Sequence, residues 1–174
     1  FAAAIAMEGE GQILSCDIHP HKLKLIDSGA KRLGISCLRT MLADAREHHA
    51  AWDRAADVVI ADVPCSGLGI IRKRPDIRYK NPEELAQLPI IQRGILENVC
   101  RYVRSGGVLV YSTCTILPEE NEQVTEAFLQ AHPEFERTAF TLPLPIGSCD
   151  GQLTLWPQRH GTDGFYICRM RRKD

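Results

Sequence analysis

Asp62-Val63-Pro64-Cys65-Ser66-Gly67-Leu68-Gly69 is the stretch on which the fold turns. It follows the apolar run Val58-Val59-Ile60-Ala61, and such a run bounded by Pro and Gly predicts a buried strand. Asp62 and Cys65 then stand just past the carboxyl end of that strand, the edge where open α/β sheets bind ligands. A second edge of this kind follows Val108-Leu109-Val110-Tyr111-Ser112-Thr113, and Cys114 stands on it. Two thiols at the ends of two buried strands form a pair that chemistry can use.

Upstream, residues 1–7 read as the tail of a helix stopped by Gly9 and Gly11. A short apolar strand over 12–16 leads to Asp17, and a helix over 20–33 carries Leu23, Ile26, Ala30 and Leu33 on one face before Gly34. An acid at a strand end before a helix can grip a ribose diol, and it can equally cap the helix. Residues 37–42 predict another strand, with Asp44 just beyond it as a second candidate or a plain turn residue. His48 and His49 are adjacent, so they point apart on any regular element and argue for a solvated loop over a metal site.

Downstream of Cys65, residues 72–80 hold five basic side chains, Arg72, Lys73, Arg74, Arg78 and Lys80, with Tyr79 among them. A basic run is often only a solvated face, but this one follows a strand-end site and is placed to hold phosphates. Asn81-Pro82-Glu83-Glu84 is a helix start, with Leu85, Leu88, Ile91, Ile95, Val99 and Tyr102 facing inward and Pro89 as a kink or break. The strand over 108–113 follows Ser105-Gly106-Gly107, a helix begins near Pro118, and a last strand spans 165–170. Alternating strand and helix give an α/β domain with a mostly parallel sheet.

A length of 174 residues suits one domain with a real core. The net charge of −1 advertises no nucleic-acid partner, so any basic surface is local. No apolar run approaches the roughly 20 residues of a membrane span. The seven cysteines include no C-x-x-C pair, which argues against zinc and a disulfide framework and for a reduced, cytoplasmic setting.

Singly, Cys65 reads as loop filler and Cys114 as a small core residue. Together, beside Asp62 and a basic loop, they fit one reaction. Carbon 5 of cytosine is too electron-poor to attack a methyl donor. A thiolate adding to carbon 6 makes carbon 5 nucleophilic, and a second group near the site assists release, which is covalent catalysis in two easier steps. Asp62 is placed to hold the ring nitrogen edge of the base.

SCDIHPHKLKLIDSGAKRLGI (15–35), DVPCSGLGIIRKRPDIRY (62–79), GGVLVYSTCTILPEENE (106–122) and HGTDGFYICRM (160–170) resemble the catalytic domain of the Nop/Sun-type RNA cytosine-5 methyltransferases, above all the bacterial 16S ribosomal RNA enzymes. The resemblance implies a Rossmann-like fold using S-adenosylmethionine, with an antiparallel C-terminal strand. It implies that Cys114 attacks carbon 6 and Cys65 releases the product. Asp17 is expected on the cofactor ribose, Asp44 by its adenine, and Asp62 at the methyl-donor and cytosine site. Arg72, Lys73 and Arg74 are expected to face RNA, with no metal and no membrane involved. The family's first strand and glycine-rich loop would precede Phe1, so the resemblance implies a truncated domain, inactive alone. Three other readings stay open: a small-molecule methyltransferase, an inert RNA-binding fragment, and a redox-sensing thiol pair, which needs the two cysteines within reach.

Overall fold

The computed structural model describes residues 1–174. The chain gathers into two compact units, residues 1–47 and 48–174. In the first unit, α1 (Ala2–Ala6) precedes β1 (Ile13–Asp17), α2 (Pro20–Arg32) and β2 (Leu38–Leu42). The two strands pair in parallel, from Ile13 opposite Leu38 to Asp17 opposite Leu42. Leu23, Gly29 and Ala30 are the buried residues of α2, and Gly29 leaves room for the Phe1 ring. Gly34 closes the helix at a φ of +67°, a conformation that suits glycine.

The second unit holds β3 (Ala56–Asp62), α3 (Pro82–Ala86), α4 (Leu88–Val99), β4 (Val103–Thr113), α5 (Glu122–Ala131), β5 (Phe135–Arg137), β6 (Phe140–Leu142), β7 (Gly147–Cys149), β8 (Gln152–Leu155), α6 (Pro157–His160) and β9 (Phe165–Arg172). β3 and β4 pair in parallel, and β9 runs antiparallel to β4. β5 and β8 add to β9, also antiparallel, and β6 and β7 form a separate hairpin. The α/β class with an antiparallel C-terminal strand is therefore as expected, with two further short strands on β9. The core lies on one face of this sheet: Leu109, Tyr111 and Thr113 alternate inward on β4, and their register partners Met170, Cys168 and Tyr166 do so on β9.

Pro89 falls in the first turn of α4 and separates it from α3, so the proline is a break. β4 starts at Val103, before the glycine pair expected to precede it, because Gly107 fits inside the strand. A Cβ on Gly107 would lie 2.9 Å from Val103 Cγ1 and 3.0 Å from the Asp57 carbonyl. β3 departs from the expected buried strand: it pairs only with β4, and Val58 and Ile60 are 55% and 60% exposed. The buried stripe of α4 also includes two polar residues, Gln92 and Asn98, among Ile95, Leu96 and Val99. No helix is long and apolar enough to cross a membrane.

The loop after Cys65 crosses the turn before β9 backbone to backbone. The Gly164 N–H donates to the Gly69 carbonyl at 2.8 Å, and the Gly69 N–H donates to the Cys114 carbonyl at 3.0 Å. A Cβ on Gly69 would lie 2.8 Å from Gly164 Cα and closer still to its carbonyl. Gly69→Ala is expected to destabilise the chain by about 1–3 kcal/mol through this overpacking. Urea denaturation measures it, and an unchanged midpoint would show that the crossing is loose.

Candidate active site

The register of β3 and β4 sets the site. Asp62 lies opposite Ser112, so both strands end at one edge. The Ser112 hydroxyl donates to Asp62 Oδ1 at 3.2 Å, and the Val63 N–H donates to the Ser112 carbonyl. Each chain then turns, and the turns bring Cys65 Sγ and Cys114 Sγ to 3.1 Å. The Cys114 N–H also points at Cys65 Sγ, at 3.3 Å. These two residues are 49 positions apart in sequence, and the reach between them is what the redox reading required.

The two thiols are electrostatically unequal. A hydrogen bond from Cys65 lowers the Cys114 pKa to about 7, with help from the Lys80 charge and against burial and Asp62. The same hydrogen bond, and then burial, push Cys65 up. These opposite shifts favour ionisation of Cys114, the arrangement in which the Cys65 S–H is the donor. Lys80 is fixed nearby, its ammonium donating to the Ser66 carbonyl at 2.8 Å. Only a thiolate is a competent sulfur nucleophile, and of the two thiols Cys114 is the one favoured to ionise.

The turns rest on a buried polar layer. Glu120, Asn121, Gln92, Ser66, Thr113 and Thr115 are all 2% exposed or less. Ser66 Oγ donates to Thr115 Oγ1 at 2.7 Å, which ties the two turns together. The Tyr111 hydroxyl donates to the Glu120 carbonyl at 2.6 Å. Sequence reasoning missed Glu120, Asn121 and Gln92, because an acidic run after proline reads as a solvated helix start. Residues 118–121 instead form a turn that precedes α5, and Glu120 faces inward.

The basic loop is anchored rather than free. Arg72 Nη2 lies 3.4 Å from Asp163 Oδ1, Lys73 pairs with Asp163 Oδ2, and Arg74 pairs with Asp76 at 3.3 Å. Their side chains are still about two-thirds exposed, at 73%, 67% and 65%. Asp163, in the turn before β9, was not singled out by the sequence pattern.

Asp17 and Asp44 belong to the first unit and are described within it. Asp17 ends β1, and its Oδ1 accepts from the His19 N–H at 2.8 Å while Oδ2 pairs with Lys22 at 3.3 Å. Burial raises its pKa, but these two partners outweigh burial and hold the carboxyl below its ordinary value. Asp44 lies two residues past β2, and the Arg46 guanidinium and amide hold its pKa down as well. Two ionised carboxylates thus stand at the same end of a parallel strand pair. They accept and do not donate, which fits a ribose diol or an amino group. His48 pairs with Asp53 and His49 stacks on Trp52, and no group of three or more His, Cys, Asp or Glu side chains is arranged to hold a metal.

The family described as 16S rRNA methyltransferase RsmB/F matches residues 1–171, and the chain belongs to it. The "Probable ribosomal RNA small subunit methyltransferase B" of Bacillus subtilis (strain 168) is 42% identical over 174 residues, covering 96% of this chain and 39% of that protein. The solved structure of PH0851 matches with a TM-score of 0.88 at 34% identity, covering 97% of this chain and 39% of that one. NSun6 from Pyrococcus horikoshii, solved with SFG, matches with a TM-score of 0.78 at 26% identity, covering 99% and 44%. The chain therefore spans 39% of the length of the curated relative it matches at 42% identity.

The thiol pair has a direct chemical signature. Alkylation of Cys114 by iodoacetamide, followed by peptide mass, should rise with pH through a midpoint near 7, where the lowered pKa puts it. In Cys65→Ala the S–H donor is gone, and the midpoint should move toward the free-thiol value of about 8.5. A midpoint that ignores Cys65 would contradict the assignment of the ionised thiol.

Proposed function

We propose that the chain is the catalytic part of an RNA cytosine-5 methyltransferase acting on small-subunit ribosomal RNA, with S-adenosylmethionine as donor. The observation that carries this reading is the 3.1 Å approach of Cys65 Sγ to Cys114 Sγ at one sheet edge, with Cys114 favoured to ionise. Membership in a 16S ribosomal RNA methyltransferase family supports the substrate class.

The Cys114 thiolate forms a bond to carbon 6, and the electron pair of the 5,6 double bond moves to carbon 5. S-adenosylmethionine, when bound, would supply an electrophilic methyl group for that carbon, its sulfonium leaving as the thioether of S-adenosylhomocysteine. Asp62, at the end of β3 and steadied by the Ser112 hydroxyl, is placed to accept a hydrogen bond from the cytosine edge. The carbon-5 proton then passes to solvent, its bonding pair restores the 5,6 double bond, and the carbon 6–sulfur bond breaks with its pair on Cys114, which leaves as thiolate. Cys65 is the neighbouring thiol, and its S–H stabilises that departing thiolate at hydrogen-bond distance. Asp17 would hold the ribose hydroxyls of the donor, and Asp44 the amino group of its adenine. Arg72, Lys73 and Arg74 would meet RNA phosphates from an exposed loop held by Asp163 and Asp76.

The test uses the protein at the full length of its relatives, S-adenosylmethionine, and 16S ribosomal RNA. On unmodified RNA, Cys65→Ala should accumulate a denaturation-resistant protein–RNA adduct, and Cys114→Ala should form none. On fluorocytosine RNA, whose carbon 5 has no proton to lose, the parental protein should also be trapped. Adduct formation by Cys114→Ala would overturn the assignment of the nucleophile, and no adduct in any form would overturn the covalent route.

The same contact favours a second reading, a peroxide-sensitive pair. The Cys114 thiolate attacks a peroxide oxygen to give a sulfenic acid and hydroxide. The Cys65 thiol then displaces water and leaves a Cys65–Cys114 disulfide. Peroxide should remove both thiols from alkylation, and a thiol reductant should restore them. Retention of both under peroxide would dismiss this reading.

A further inference from the structure

Glu120 and Asn121 are adjacent, buried and polar, and each addresses a different thiol. Glu120 Oε2 accepts from the Ser66 N–H at 2.9 Å and from Gln92 Nε2 at 2.9 Å. The same Gln92 amide donates to the Pro64 carbonyl at 3.0 Å. The backbone groups on either side of Cys65 are thus fixed by one carboxylate and one amide. Asn121 holds the two neighbours of Cys114: its Oδ1 accepts from the Thr113 side-chain hydroxyl at 2.6 Å, and its Nδ2 donates to the Thr115 backbone carbonyl at 3.1 Å.

This layer is a poor choice if its only task is stability. Glu120 Oε1 and Gln92 Oε1 are buried with no hydrogen-bond partner among the protein's own groups. A buried carboxylate oxygen left unpaired is costly, and well-packed apolar side chains commonly stabilise such positions better. What the layer does supply is a fixed backbone on both sides of Cys65, and a held Thr113 hydroxyl and Thr115 carbonyl on either side of Cys114. A misplacement of about an ångström at a reacting group is enough to cost a large factor in rate.

We propose that Glu120 and Asn121 are positioning residues with separate duties: Glu120, through Gln92, holds the Cys65 turn for release, and Asn121 holds the Cys114 turn for attack. The division rests on the cytosine-5 reading above. It predicts that two neighbouring substitutions affect opposite halves of one reaction.

The experiment follows single turnovers on RNA with the full-length protein, reading adduct formation and adduct decay separately. Followed at a pH above the free-thiol value of about 8.5, where Cys114 ionises without help from Cys65, the adduct in Glu120→Leu should form at near the parental rate and persist about tenfold longer or more, the scale of a lost hydrogen bond to a charged group. Glu120→Gln keeps an acceptor oxygen for both donors, so it should restore most of the decay rate. Asn121→Leu should slow adduct formation by a comparable factor of about ten and leave decay near parental. Gln92→Leu, which frees the Pro64 carbonyl but leaves the carboxylate in place, gives the decay defect in milder form and serves if Glu120→Leu fails to fold. Equal slowing of both steps in every variant would reduce the layer to scaffold and overturn the proposal. A parental protein that forms no adduct would instead remove the cytosine-5 reading. In that case the rate at which peroxide closes the Cys65–Cys114 disulfide still reports on the layer without RNA. Slower closure in Glu120→Leu, restored in Glu120→Gln, would uphold the positioning role, and closure rates equal to parental in Glu120→Leu and Asn121→Leu would end it.

Discussion

The parallel pairing of β3 with β4 is the constraint on which the rest depends. It sets Asp62 opposite Ser112, and so delivers two turns to the same sheet edge. Cys65 comes three residues after Asp62 and Cys114 two after Ser112. A slip of one residue in this register would turn every side chain of a strand to the opposite face and part the thiols. The alternation of Leu109, Tyr111 and Thr113 into the core prevents that slip, because each has an inward-facing partner on β9. The approach of the two thiols is therefore secured by packing between β4 and β9, away from the sulfurs themselves.

Local chemistry then makes the two sulfurs different. They sit in nearly the same place, yet Cys65 is the more buried donor and Cys114 the acceptor with a lysine charge near it. The Asp62 charge opposes ionisation of Cys114. Asp163 holds Arg72 and Lys73 from the turn whose Gly164 also fixes Gly69, so the loop that follows Cys65 is anchored by backbone and by charge together. A chain with a net charge of −1 thus presents its cations locally and in a fixed orientation.

Much of this was legible in the sequence. Apolar runs ending in Asp17, Asp62 and Cys114 marked strand ends because strand, turn and helix signals alternate there. The distance between the thiols was not legible, since it depends on register across 49 positions. The inward turn of Glu120 was hidden as well. Acids after a proline normally face water, and nothing in the pattern marks one of them as buried. Gln92 lay unnoticed within an apolar helix face for the same reason: a polar residue on such a face makes sense only once the Pro64 carbonyl is found beside it. For β3, the run Val58-Val59-Ile60-Ala61 announced a strand but could not tell that one face would be exposed, because burial depends on what covers the strand and not on its own composition.

The central claim is that methyl transfer occurs at carbon 5 of cytosine through a covalent thiol adduct. Tritium release from RNA carrying 5-tritiated cytidine tests it most directly, because carbon 5 must lose its hydrogen for every methyl group gained. With the full-length protein and S-adenosylmethionine, tritium should enter water in step with methyl incorporation, and Cys114→Ala should abolish both. Methylation of the RNA without tritium release would place the methyl group elsewhere and contradict the account.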